Sequence, residues 1–179
     1  MKARVIVTTR VKRKDEPKAP EGIPVVKFED LFNYDEIGIT GGEPMVISER
    51  CVELVHRLRL QGYTGKIILY TANSHRLGRY WAINMLIDEV DGIVYTVRDN
   101  KNYDKLKSDF TDLRRLDKWL RETGRVKPDK LLIDSRVYKT DYVESLEYSW
   151  QEIQPFVEGD NDTSEGEDII YYDLEGDNG

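Results

Sequence analysis

The residue types best suited to holding a small polar ligand stand together at Thr40-Gly41-Gly42-Glu43-Pro44, directly after the apolar run Ile37-Gly38-Ile39. Two glycines at a strand end let the backbone approach a ligand closely, because no Cβ stands in the way. Glu43 supplies a carboxylate that can hold an ammonium group, and Pro44 stiffens the turn into the next element. The set suits the amino-acid end of a zwitterionic ligand, and equally serves as a plain tight turn. Cys51 is the one cysteine of the chain. It cannot by itself build an iron–sulfur site, which needs three or four thiolates.

Other reactive residue types are sparse. His56 and His75 are the two histidines. His56 lies beside Arg57 and Arg59 on a helical pattern, which reads as a solvated face. His75 lies in a polar loop with Asn73, Ser74 and Arg76, where it can make a polar contact. Neither shows the spacing of a zinc pair. The basic run Arg10, Lys12, Arg13, Lys14 and Lys18 can meet a phosphate or a nucleic-acid backbone through charge, or remain solvated. It carries no aromatic residue on which a base would stack. Asp134-Ser135-Arg136 offers a carboxylate that can contact a ligand or cap a helix. No nucleophile–base–orienter set follows from the spacing.

These residues need elements to position them, and short β-branched runs alternate with helix-like segments. Strands are expected at Arg4–Thr9, Glu36–Thr40, Lys66–Thr71, Gly92–Val97 and Leu131–Asp134. A short helix is expected over Phe28–Asn33. A longer one opens with Ser48 as N-cap and carries Cys51, Leu54, Val55, Leu58 and Leu60 to a stop at Gly62. Leu77–Glu89 and Tyr103–Thr123 complete the helical set, the last with Leu106, Phe110, Leu113, Leu116, Trp119 and Leu120 as its apolar stripe. Val11–Pro24 reads as a proline-containing loop. The alternation implies right-handed crossovers and a parallel sheet: α/β, a partial (β/α) barrel of about five parallel strands with flanking helices, or a flatter doubly wound sheet. In both, ligands meet the carboxyl edge of the strands, where Thr40–Pro44, Thr71–Ser74, Thr96–Arg98 and Asp134–Arg136 fall.

The length of 179 residues fits one domain over residues 1–150. Ten of the 34 acidic residues and none of the 27 basic ones lie in 151–179, so the net charge of −7 becomes +3 for residues 1–150. Residues 151–179 therefore read as an acidic, flexible C-terminal tail, or as one whose apolar piece Ile169–Leu174 docks on a sheet edge or partner. The start of the chain does not read as a secretory signal, no window is apolar enough to span a membrane, and one unpaired cysteine fits a reducing cytoplasm.

The run Asp35–Met45, the polar strand end Ile68-Leu69-Tyr70-Thr71-Ala72-Asn73 and the run Asp91-Gly92-Ile93-Val94-Tyr95 resemble the second, third and fourth strands of radical S-adenosylmethionine proteins. The likeness covers roughly residues 3–135 and is strongest to the short members of that superfamily, such as 7-carboxy-7-deazaguanine synthases and activating proteins of anaerobic ribonucleotide reductases. It implies a partial barrel of that family's type. It implies that Gly41, Gly42, Glu43 and Pro44 cradle the methionyl amino group of S-adenosylmethionine, and that Thr71, Asn73 and Thr96 meet its carboxylate or ribose. The family's three-cysteine loop corresponds to Thr8–Lys14, where Val11 and Lys14 stand at the first two cysteine positions. Neither supplies a thiolate to iron. The expectation is a degenerate, cluster-less member without radical chemistry, binding a small ligand or a protein partner. The rival expectations are an enzyme of another class acting on a nucleotide or phosphate, and an interaction module with a vestigial pocket.

Overall fold

The computed structural model describes residues 1–8, 22–41, 44–72, 85–96, 103–124, 130–138, 141–143, 146, 150–153 and 167–174. Strands β1 (Lys2–Thr8), β2 (Glu36–Gly41), β3 (Lys66–Thr71), β4 (Gly92–Tyr95), β5 (Leu131–Asp134), β6 (Gln151–Ile153) and β7 (Glu167–Tyr171) form one sheet in the order β6-β5-β4-β3-β2-β1-β7. Every pairing is parallel. The helices are α1 (Ser48–Leu60), α2 (Tyr103–Thr123) and the single turn α3 (Ser135–Tyr138), with 3-10 turns at Phe28–Asn33 and Pro44–Ile47.

From β1 to β6 each strand lies beside its sequence neighbour. The α/β class holds, but the sheet has seven strands rather than five. Both additions fall in the segment that composition marked as an acidic tail. β6 is three residues long and β7 opens with Glu167 and Asp168, so neither shows the apolar alternation by which a strand is recognised. Backbone pairing to a remote strand carries them instead: β7 runs beside β1 from Lys2↔Glu167 to Ile6↔Tyr171. Ile170, Tyr172 and Leu174 are buried in the core.

One face of the sheet is covered. Ala3, Val5 and Val7 of β1, Ile37 and Ile39 of β2, Ile67 and Leu69 of β3, Ile93 and Tyr95 of β4, and Leu131 and Ile133 of β5 join a single buried cluster. Every described helix feeds the same cluster: Cys51, Leu54, Val55 and Leu58 from α1, Phe110, Leu113, Leu116 and Leu120 from α2, and Val137 from α3. Leu60, expected on the α1 stripe, is 74% exposed. It lies two residues past Leu58, about 200° around the helix, and so points away from the sheet.

Ser48 is not the N-cap of α1. The 3-10 turn Pro44–Ile47 runs directly into the helix, Ile47 takes the cap position, and no side chain caps it. The amino-terminal end of the sheet is closed by Arg59. Its guanidinium donates to the carbonyls of Tyr63, Gly65 and Glu89, each at 2.8 Å, and to Asp91 Oδ2 at 3.0 Å. Asp91 Oδ2 also accepts from the Ile67 N–H at 2.9 Å. One planar donor set thus joins the approaches to β3 and β4.

Candidate functional site

The face opposite the cluster carries no helix among the described residues, and strand register shows what it presents. At the amino-terminal rim Glu167, Lys2, Glu36 and Lys66 stand side by side on β7, β1, β2 and β3. Their alternating charges attract across strands, and Lys2 Nζ lies 3.5 Å from Glu36 Oε2. The next row is Ile169, Arg4, Gly38, Ile68 and Gly92. Arg4 Nε meets Glu167 Oε1 at 2.9 Å, with side chains only 13% and 12% exposed. Above that come Tyr171, Ile6, Thr40, Tyr70, Val94, Leu132 and Gln151, of which Tyr171 and Val94 are fully buried although no described helix lies over them.

The glycines shape this face. A Cβ on Gly38 would stand 3.1 Å from Tyr70 Cε2, and one on Gly92 would stand 2.9 Å from Leu132 Cδ1 and 3.2 Å from Ile68 Cδ1. Tyr70 therefore leans down over Gly38 toward the amino-terminal rim instead of rising toward the carboxyl edge. Its hydroxyl pKa is pushed up to about 12, first by burial and then by Glu36 and Glu167, with Arg4 opposing. The phenol stays neutral and serves as packing with a polar tip.

Above Tyr70 lies the carboxyl edge. β2 ends on Thr40 and Gly41, and Gly41 has φ 141°, where a Cβ is strained. The turn at Pro44–Ile47 contacts the ends of β1, β2 and β3. Pro44 and Met45 are buried, and the Cys51 thiol donates to the Pro44 carbonyl at 3.4 Å. Cys51 is a buried core residue, as its place on the apolar side of α1 suggests.

Thr71 and Thr96 are neighbours here, since the Thr96 N–H donates to the Thr71 carbonyl at 2.8 Å. Their side chains differ in setting. Thr71 continues the phase of Ile67 and Leu69 toward the covered face and is 1% exposed. Thr96 continues the phase of Gly92 and Val94 and is half-buried. The edge of the uncovered face thus gathers Thr40, Gly41, Ala72 and Thr96 from three adjacent strands: a row of small residues with two hydroxyls. Gly42, Glu43, Asn73, His75 and the basic residues Arg10, Lys12, Arg13, Lys14 and Lys18 lie outside the described residues.

On the covered side of the same edge, the Tyr95 hydroxyl donates to Asp109 Oδ2 at 2.5 Å. Burial, then the bond to Asp109 and the nearby charges of Asp109, Asp112 and Asp134, push its pKa far up. Asp134 is fully buried and directly precedes α3. The Trp150 indole donates to Asp117 Oδ1 at 2.9 Å, fastening the approach to β6 onto α2. His56 sits 2.8 Å from Glu89 Oε1 on the exposed side of α1. Among the described residues no three His, Cys, Asp or Glu side chains are arranged to hold a metal ion. No described helix is long and apolar enough to cross a membrane.

Sequence reasoning singled out Gly41 and Thr96 but not Tyr70, Arg4, Glu167 or Tyr171. The one signal available was the alternation in Lys66–Thr71, which sets Tyr70 apart from the core-facing Ile67 and Leu69. No protein-family model matches the chain, and no curated protein matches it.

Proposed function

We propose that the chain is a cluster-less, radical-S-adenosylmethionine-like protein that performs no radical chemistry. It binds a small ligand, S-adenosylmethionine or a nucleotide-like molecule, at the carboxyl edge beside Gly41–Pro44. The observation that carries this reading is the conformation of Gly41: a strand end at φ 141°, three positions before a turn, Pro44–Ile47, that contacts β1, β2 and β3. That geometry suits backbone approach to a ligand, and the Thr40 and Thr96 hydroxyls beside it suit a carboxylate or ribose.

The winding supports a partial barrel as the frame. Sequential parallel strands with helices on one side are the arrangement of a (β/α) barrel wall. The pairing of β7 with β1 repeats the contact by which such a barrel joins its last strand to its first. A doubly wound sheet would reverse its strand order and carry helices on both faces.

S-Adenosylmethionine fits this edge to the extent that Gly41, Thr40 and Thr96 are small and polar. An iron–sulfur cluster does not fit. The single cysteine is fully buried on α1 with its thiol on the Pro44 carbonyl, so no reaction step runs through a cluster. The chain's residues would bind and orient the ligand rather than reduce it.

Calorimetric titration of the full chain with S-adenosylmethionine, and separately with ATP and GTP, tests the reading. Saturable heat is expected for at least one of them, with affinity reduced about tenfold in Gly41→Ala, since forcing a side chain into this backbone region costs roughly 1–2 kcal/mol. Absence of heat for all three ligands would remove the reading.

A further inference from the structure

We propose that Tyr70 is the floor of the carboxyl-edge site and that Gly38 keeps the site open by giving the Tyr70 ring a place to lie. The inference rests on the ligand-binding reading above and limits it to ligands that lie across the strand ends. The argument starts from register. Gly38 stands opposite Ile68, Ile39 opposite Leu69, and Tyr70 opposite Val94. Side chains alternate along a strand, so Thr40, Tyr70, Ala72 and Thr96 share the uncovered face. The Tyr70 ring crosses from β3 to β2 one row below Thr40, since a Cβ on Gly38 would stand 3.1 Å from Cε2 and 3.7 Å from Cδ2. Gly38 has no positive φ, so what glycine supplies here is space and not backbone freedom.

Lying over Gly38, the ring packs against the β2 backbone, and its polar end faces the rim where Glu36, Arg4 and Glu167 act on it. A long side chain on a strand leans along the strand in one direction or the other. In the other direction the ring would stand beside Ala72, between Thr40 and Thr96, on the ground that a ligand needs. Those three residues are small and half-buried, so they leave the upper place open to it. A side chain at position 38 therefore drives the ring into the site. With the ring down, it fills the space between β2 and β3 below Thr40. The site is then shallow and takes a polar end laid across Thr40, Gly41 and Thr96, not a group inserted along the strands.

Gly38→Val places branched carbons where the ring lies, on a strand backbone that accepts a β-branched residue. NMR spectra of the full chain, with labelled tyrosine rings and labelled alanine and threonine methyl groups, read where the ring is. Cross-relaxation from the Tyr70 ring should reach Gly38 in the native chain, and the Ala72 and Thr96 methyls in the variant. A ring that stands in the site about nine-tenths of the time lowers apparent affinity about tenfold. Titration with S-adenosylmethionine, ATP and GTP should show that loss for each of them that binds the native chain. Gly38→Val with Tyr70→Leu should return affinity to within roughly threefold of native, because no ring is left to rise and the two aliphatic side chains fill the floor. Gly38→Ala is the smaller step and should lose roughly two- to threefold. It carries the same test, alone and with Tyr70→Leu, if Gly38→Val does not fold. A ring that keeps its native contacts in the folded variant overturns the inference whatever the titrations give. Native affinity in that variant overturns it too, as does a loss that Tyr70→Leu leaves unrepaired. A ring that moves as described, in a chain that gives no heat with any of the three, upholds the ring's placement and removes the ligand reading instead.

Discussion

The two faces of the sheet are built from the same strands and follow different rules. On the covered face β1 to β5 and β7 contribute Val, Ile, Leu or Ala, and β4 adds Tyr95. Neighbours there are interchangeable in kind, because the surface has only to be apolar and close-packed against α1 and α2. On the uncovered face the row from Ile169 to Gly92 contains a charge, two glycines and two isoleucines, and each depends on a particular neighbour: Arg4 on Glu167, Gly38 on Tyr70, Gly92 on Leu132. One face specifies the fold by repetition. The other is fixed pair by pair, and its carboxyl edge carries the small polar residues of the candidate site.

The comparison predicts unequal responses to truncation. Leu113 is fully buried between α2 and the sheet. Leu113→Ala should destabilise the chain by about 2–5 kcal/mol, through lost burial and the cavity left behind. Leu132, half-buried on the uncovered face, should lose clearly less when cut to alanine. Urea unfolding of both variants measures the difference. Equal losses would mean that the two faces are packed alike.

A smaller loss is expected from Arg4→Met, about 2–4 kcal/mol, because it strands the nearly buried carboxylate of Glu167. Arg4→Met with Glu167→Met should recover most of it, since two apolar side chains of similar length fill the space without a charge to desolvate. A double variant as unstable as the single one would show that the pair is not what couples β7 to β1. Three further contacts hold β7: Tyr34 OH donates to Asp168 Oδ2 at 3.1 Å, the Val26 N–H donates to the Tyr171 carbonyl at 2.9 Å, and the Tyr171 N–H donates to the Pro24 carbonyl at 2.8 Å. The strand should therefore remain in place in the double variant.

The same contrast explains what could be read in advance. Lys66–Thr71, Leu131–Asp134 and Tyr103–Thr123 have the bounds that their periodicity indicates, because the covered face selects residues one at a time for apolar character. β6 escaped, and β7 was legible only as the alternative in which the apolar piece Ile169–Leu174 docks on a sheet edge, because the pairing energy of both comes from strands more than fifteen residues away and their own composition is polar. The uncovered face was illegible for a related reason. That Arg4 meets Glu167, or that Gly38 makes room for Tyr70, is a statement about register between remote segments, and no local pattern encodes register. At the carboxyl edge Gly41 was legible from its type. Thr71 was legible as the carboxyl end of its strand, whereas the direction of its side chain, toward the covered face with Ile67 and Leu69, follows from counting the strand's alternation.

Alkaline unfolding gives the smallest effect per pH unit and the sharpest comparison between the faces. Tyr70 on the uncovered face holds its proton up to about 12, and burial and nearby carboxylates raise Tyr95 on the covered face still further. Unfolded, both phenols ionise near pH 10. Between pH 10 and 12 the native chain therefore binds more protons than the unfolded one, and stability falls as pH rises. The contribution is fully present below pH 10 and is lost through the folded values, at up to about 1.4 kcal/mol per pH unit for each tyrosine. Tyr70→Phe should flatten the stability curve by one such slope between pH 10 and 12. Tyr95→Phe should flatten it equally but also cost about 1–3 kcal/mol at pH 7, because Asp109 loses the donor of a buried hydrogen bond. Denaturant midpoints at pH 7, 10 and 11.5 separate the two variants. If Tyr70→Phe proves as costly at neutral pH as Tyr95→Phe, the Tyr70 hydroxyl is a hydrogen-bonding group as tightly bound as its counterpart in the core, and the uncovered face is no less closed than the covered one.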